Sequence, residues 1–214
     1  AAAEEVASAP PSAVDGEAEV GLLRPFNERF TVLGYERREQ EDFDPYCAVL
    51  DAQAASDNRD EPFHVCGNAC NVMFPREDPD GGDPPRRRFH AVALPFWRLA
   101  VVCSSDSDKV CCLGIRSRDD MRWQQWDLPD EESPPCVPTY EDEEKGVFCE
   151  DQYIMGLALD LTNTERVSLI AGEEKFPPCP VVWALTSHGS LLAWTVVNKL
   201  ARGDNSYVFM REPE

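Results

Sequence analysis

The stretch Pro177–Asn198, PPCPVVWALTSHGSLLAWTVVN, decides the fold class. Val181 to Leu185 form one apolar run, Thr186 to Gly189 turn the chain, and Ser190 to Val197 form a second run. Pro178 and Pro180 stand at the start of the first run, where a strand can do without amide donors. Gly189 falls where such a turn calls for positive φ. Both runs are rich in β-branched and aromatic residues and are too short for a typical helix, so the spacing predicts a β-hairpin. Each run is apolar on both faces, which predicts a hairpin covered on both sides by other sheets, as in a propeller blade or a sandwich.

Outward from this hairpin the chain repeats the same texture. Phe30–Tyr35, Tyr46–Asp51 and Phe63–Gly67 read as short strands, and Ala52–Pro62 as an exposed polar connection. Arg76–Arg88, REDPDGGDPPRRR, reads as a turn-rich loop. Four closely spaced runs follow it: Phe89–Leu94, Trp97–Ser104, Lys109–Ile115 and Met121–Leu128, with hairpin loops at Ser104–Asp108 and Ser117–Asp120. Four consecutive strands with tight connections predict an antiparallel meander, the unit of one propeller blade. Residues 129–152 then form a long acidic inter-blade loop, of the length that is functional or disordered in a compact domain. Tyr153–Leu161 resumes the strands, and Tyr207–Met210 reads as a last short one before the charged tail 211–214. Residues 1–25, rich in Ala, Glu and Pro, read as a disordered acidic segment. The expectation is an all-β protein of about two and a half four-stranded blades over 26–210, with a sandwich as the alternative that spacing leaves open.

Composition narrows the function. A chain of 214 residues, 43% hydrophobic, is long enough for one sizeable domain or two small ones. The formal charge of -20 argues against direct nucleic-acid binding, which depends on clustered Lys and Arg, and favours a basic protein partner. Arg86–Arg88 is the one basic cluster and reads as a solvated loop. No run reaches the roughly 18 apolar residues of a membrane span, and no signal peptide opens the chain, which points to a cytosolic or nuclear setting. A start at AAA without Met reads as a piece of a longer polypeptide.

Catalytic and metal motifs are not evident. Nine cysteines, most within apolar runs, read as buried thiols of a reducing compartment. His64, Cys66 and Cys70 make half of a metal pattern whose other half is missing, so no metal is expected. His64, His90 and His188 stand far apart and in no nucleophile motif. Trp97, Trp123, Trp126, Trp183 and Trp194 read as blade packing, since a base-stacking platform would come with a basic groove. A non-enzymatic role is expected, with an all-β hydrolase using carboxylates as the remote alternative.

Three segments carry a resemblance. RRFHAVALPFWRLAVVCSSDSDKVCCLGIR (87–116) has a strand pair with Trp at the start of the second strand, and DDMRWQQWDLPDEE (119–132) has a W-x2-W-x-L run leading into acidic residues. MGLALDLTNTERVSLIAGEEKFPPCPVVWALTSHGSLLAWTVVN (155–198) has a strand ending Asp-x-Thr, a Pro-Pro-x-Pro start and the hairpin. FTVLGY, YCAVLDA and FHVCGN fit a preceding blade more loosely. In this order they resemble the N-terminal β-propeller of the cytoplasmic-filament FG nucleoporins, the vertebrate CAN protein and its fungal counterparts, over Phe30–Asn198. That propeller is seven-bladed, and the resemblance is to its latter blades. It implies a protein-docking module at the cytoplasmic face of the nuclear pore, with other nucleoporins and the DEAD-box RNA helicase of mRNA export as partners and no cofactor. The matching docking positions are Asp57, Asn58, Arg59, Asp60 and Glu61 in one loop, and Asp130, Glu131, Glu132, Glu141, Asp142, Glu143 and Glu144 in the other. The family's Arg after the Trp segment is replaced here by Asp130, Glu131 and Glu132. FG repeats are absent from the chain, so FG-dependent receptor binding is not implied. The competing expectation is an unrelated WD-like propeller scaffold for another basic protein.

Overall fold

The computed structural model describes residues 19–36, 46–56, 63–66, 88–105, 107–115, 122–126, 135–142, 144–169, 175–199, 207 and 209–211. They form an all-β protein of two compact units, residues 1–154 and 155–214. In the first unit, β1 (Glu19–Pro25), β2 (Phe30–Glu36), β3 (Tyr46–Asp51) and β4 (Phe63–Val65) make a four-stranded antiparallel meander in chain order. A single helical turn, α1 (Ala52–Ser56), follows β3. A second meander repeats the order with β5 (Phe89–Leu94), β6 (Leu99–Ser104), β7 (Cys111–Ile115) and β8 (Trp123–Trp126).

The two meanders stack like on like, β1 against β5 and β4 against β8. Their shared core joins Phe30, Val32, Cys47 and Val49 of one sheet to Val102, Leu113 and Trp123 of the other. Phe26 meets Trp123 edge to face at 4.6 Å between ring centroids, and Phe30 does so at 5.6 Å. This same-order stacking of meanders is propeller-like architecture. Within the second meander, Gly114 of β7 makes room for Trp126 of β8, because a Cβ there would lie 2.8 Å from the ring.

Several expectations are corrected here. The segment read as irregular through residue 25 carries β1 from Glu19, where Leu22 and Leu23 pair with Gly34 and Leu33 of β2. Trp97, read as the start of a strand, instead closes the 3-10 turn Pro95–Trp97, and β6 begins at Leu99. The acidic stretch 129–152 holds a hairpin, β9 (Tyr140–Asp142) with β10 (Val147–Glu150). The described residues of 207–210 form a turn closed by Met210 N–H on the Tyr207 carbonyl, where a strand was expected.

The second unit begins within β11 (Ile154–Asp160). It continues through β12 (Arg166–Val167), which pairs with β13 (Phe176–Pro178), to the expected hairpin, β14 (Val181–Thr186) and β15 (Leu191–Thr195). Thr186 Oγ1 accepts from Ser190 N–H, the Thr186 carbonyl accepts from Gly189 N–H, and Gly189 takes φ 83 as its place in the turn demands. The strands form a three-stranded sheet of order β11-β14-β15. Burial on both faces holds for β14 at Val181, Val182 and Ala184, but not for β15, whose Leu191 is 62% exposed. β15 is the last strand of its sheet, so an apolar sequence there does not imply a covered strand. Among the described residues no helix is long and apolar enough to cross a membrane.

Candidate partner-docking surfaces

The acidic hairpin is built on a root of backbone hydrogen bonds to the β6–β7 connection. Val110 N–H donates to the Pro135 carbonyl at 3.1 Å, Val137 N–H to the Asp108 carbonyl at 2.7 Å, and Ile154 N–H to the Ser107 carbonyl at 3.4 Å. Lys109 bridges Cys136, and Gln152 Nε2 donates to the Pro138 carbonyl at 2.9 Å. The connection itself is tightly held, with Ser104, Ser105 and Ser107 all buried.

Beyond this root, Tyr140–Glu150 presents its carboxylates unequally. Asp142 is turned back into the hairpin: its Oδ2 accepts from the Tyr140 hydroxyl at 2.9 Å and from Lys145 Nζ at 2.8 Å, and its Oδ1 accepts from Lys145 N–H at 3.1 Å. Hydrogen bonds from the Lys145 ammonium, the Tyr140 hydroxyl and the Lys145 amide together hold the Asp142 carboxyl down at about 2. Gly146, at φ 70, completes the turn. Glu141 and Glu144 are exposed and face solvent. Of the expected docking residues, Glu141 and Glu144 are solvent-exposed, while Asp142 shapes the turn and shares its charge with Lys145. Asp57, Asn58, Arg59, Asp60, Glu61, Asp130, Glu131, Glu132 and Glu143 lie outside the described residues.

The other expected loop is approached through α1, and the described residues there are firmly tied to the sheet. Ala52 N–H donates to the Arg29 carbonyl, and Arg29 grips Asp51 through both oxygens, Nε to Oδ1 at 2.8 Å and Nη2 to Oδ2 at 2.6 Å. Asp51 Oδ1 also caps α1 by accepting from Gln53 and Ala54 N–H. Burial pushes the Asp51 carboxyl up, but the Arg29 hydrogen bonds, the two amides and the guanidinium charge outweigh it and leave it below the usual range. Next to this clasp, the Phe26–Phe30 turn and the Pro95–Arg98 turn border an open depression of about 390 Å³. Phe96 is 69% exposed, and Arg98 adopts the left-handed conformation, φ 51. Sequence reading missed the clasp. Its signals were Asn27, whose Oδ1 accepts from Arg29 and Phe30 N–H, and an Asp directly before a short Ala-rich turn.

Several cysteines and His64 are engaged in packing and sheet contacts. Burial pushes the Cys66 and Cys112 thiols up to about 12, the reverse of what activates a nucleophile. His64 Nδ1 accepts the Trp123 backbone N–H at 3.1 Å, tying β4 to β8. Among the described residues no group of three or more His, Cys, Asp or Glu side chains could hold a metal ion.

Two stacked four-stranded meanders with an acidic hairpin rooted on the β6–β7 connection define an all-β, propeller-like protein. No family model matches the chain. It is similar to the human nuclear pore complex protein Nup214, with 28% identity over 103 residues, which are 48% of this chain and 4% of that protein. The similarity points to a nucleoporin relationship and spans only a small part of that relative's length.

Proposed function

We propose that the protein is a non-catalytic docking module of nucleoporin type at the nuclear pore complex, on its cytoplasmic face. Its sheets correspond to the latter blades of a nucleoporin propeller. Its partners are other nucleoporins and the DEAD-box RNA helicase of mRNA export, which meets the acidic hairpin. The similarity to Nup214 supports the nucleoporin part of this reading. The exposed Glu141 and Glu144 on an anchored hairpin support it, since such a surface speeds encounter with an Arg- and Lys-bearing partner in a salt-sensitive way.

A pull-down of the helicase on the immobilised chain across a salt series tests the proposal. Binding at low salt that weakens as salt rises, and weakens further in the Glu141→Lys, Glu144→Lys double variant, is the expected result. No binding at low salt overturns helicase docking. Equal retention of an unrelated basic protein such as lysozyme reduces the surface to a generic polyanion.

A further inference from the structure

The sheet β11-β14-β15 is one strand narrower than the two meanders of the first unit, and among the described residues the edge it leaves is open. Thr186 N–H donates to Ser190 and Val196 N–H to Pro180, so the even-numbered residues of 190–196 direct their backbone groups toward β14. The amides and carbonyls of Leu191, Ala193 and Thr195 therefore point away from the sheet. These are also the exposed residues of the strand. The strand itself carries none of the usual protections of an edge: the register from Val181↔Thr195 to Leu185↔Leu191 has no bulge, and Leu191–Thr195 contains no Pro or Lys. Of the described residues that follow, the Tyr207 hydroxyl is held by the Asn198 backbone, three residues past β15, and Arg211 N–H donates to the Leu161 carbonyl beyond β11.

We propose that the outer edge of β15 receives an extended segment of a different polypeptide as a fourth strand. Main-chain hydrogen bonds to Leu191, Ala193 and Thr195 would supply affinity, and alternate side chains of the guest would pack beside Leu192 and Trp194, which are half-buried. The guest is basic, to complement the chain's formal charge of -20, with β-branched residues at every second position. A second copy of this chain is the disfavoured occupant, because each copy carries a formal charge of -20. This edge belongs to the second unit and the acidic hairpin to the first, and the proposal does not rest on helicase docking.

The test uses the 214-residue chain and the synthetic peptide Lys-Val-Thr-Val-Lys-Val-Thr, with amide hydrogen exchange read residue by residue by NMR. At about 1 mM peptide, protection of Leu191, Ala193 and Thr195 is expected to rise at least about tenfold while the β5–β8 amides stay unchanged. The same peptide N-methylated at alternate residues keeps its charge but cannot pair, and is expected to protect none of them. Ala193→Pro, which removes one outward N–H from an edge strand that tolerates Pro, is expected to abolish the effect. Absence of protection, equal binding by the N-methylated peptide, or self-association through the same amides in sedimentation would each overturn the proposal.

Discussion

In the paired meanders β1–β8, Val102 and Leu113 are fully buried, and each sheet is covered by the other. In the sheet β11-β14-β15, built from residues no less apolar, Leu185 is 47% and Leu191 62% exposed. The difference lies in position and not in composition. Leu113 sits in an inner strand of the stacked pair, whereas Leu191 lies on the last strand of its sheet, just as Leu23 on the edge strand β1 is 68% exposed. Replacing Leu113 by Ala should therefore cost about 3 kcal/mol through lost burial and the residual cavity. Leu191→Ala should stay within about 0.5 kcal/mol, as surface changes do. Denaturant unfolding followed by hydrogen exchange in each unit checks this, and similar losses at the two sites would erase the contrast.

The same contrast runs through the polar clasps. Asp51, 2% exposed, holds Arg29 and caps α1. Asp160, in the second unit, accepts from the Thr162 hydroxyl at 2.6 Å and from its amide at 2.7 Å, in an exposed turn. Both carboxyls lie below their ordinary value, Asp160 chiefly through those Thr162 bonds. A depressed folded-state value means stability that is fully present above the unfolded value of about 3.9 and is lost as pH falls through the lower folded one. Asp51→Asn should cost about 2 kcal/mol at neutral pH, because it leaves a half-buried guanidinium without its charge partner. That penalty should begin to shrink below about pH 4, where the unfolded-state carboxyl takes up its proton, and level off once pH has fallen below the lower folded value. Stability titrations from pH 7 to pH 2 on both proteins measure it, and Asp160→Asn should give the smaller change throughout.

Much of this is legible in the sequence. Tyr46–Asp51 is β3 residue for residue, and the 181–197 hairpin with its Gly189 turn appears where its apolar runs and turn residues put it. These elements announce themselves because local pattern and tertiary role agree. β1 does not: Val20 and Leu23 are 48% and 68% exposed, so the strand exists by pairing with β2 and shows almost no apolar pattern of its own. The hairpin at Tyr140–Glu150 is hidden for a related reason, since it is held by Asp142, Tyr140 and Lys145 and not by apolar alternation. Glu141 and Glu144 are legible as acidic docking candidates, but the inward turn of Asp142 is not, because sequence gives charge without direction.

Two glycines sharpen the comparison at the smallest scale, with opposite expected signs. Gly114 in β7 lies under Trp126, and a methyl there would approach the Cε2 and Cζ2 atoms to 2.8 Å. The ring belongs to the neighbouring strand of the same paired sheet, so it has little room to retreat, and Gly114→Ala should destabilise by about 1 to 2 kcal/mol. Gly156 in β11 has nothing within 4 Å of the place a Cβ would take, and no left-handed φ to strain. There the substitution mainly restricts the unfolded chain, and Gly156→Ala should stabilise by about 0.5 kcal/mol. Thermal melts of the two single variants read both signs. A loss at Gly156 as large as at Gly114 would mean that the second unit's sheet is covered in solution as closely as the first unit's pair.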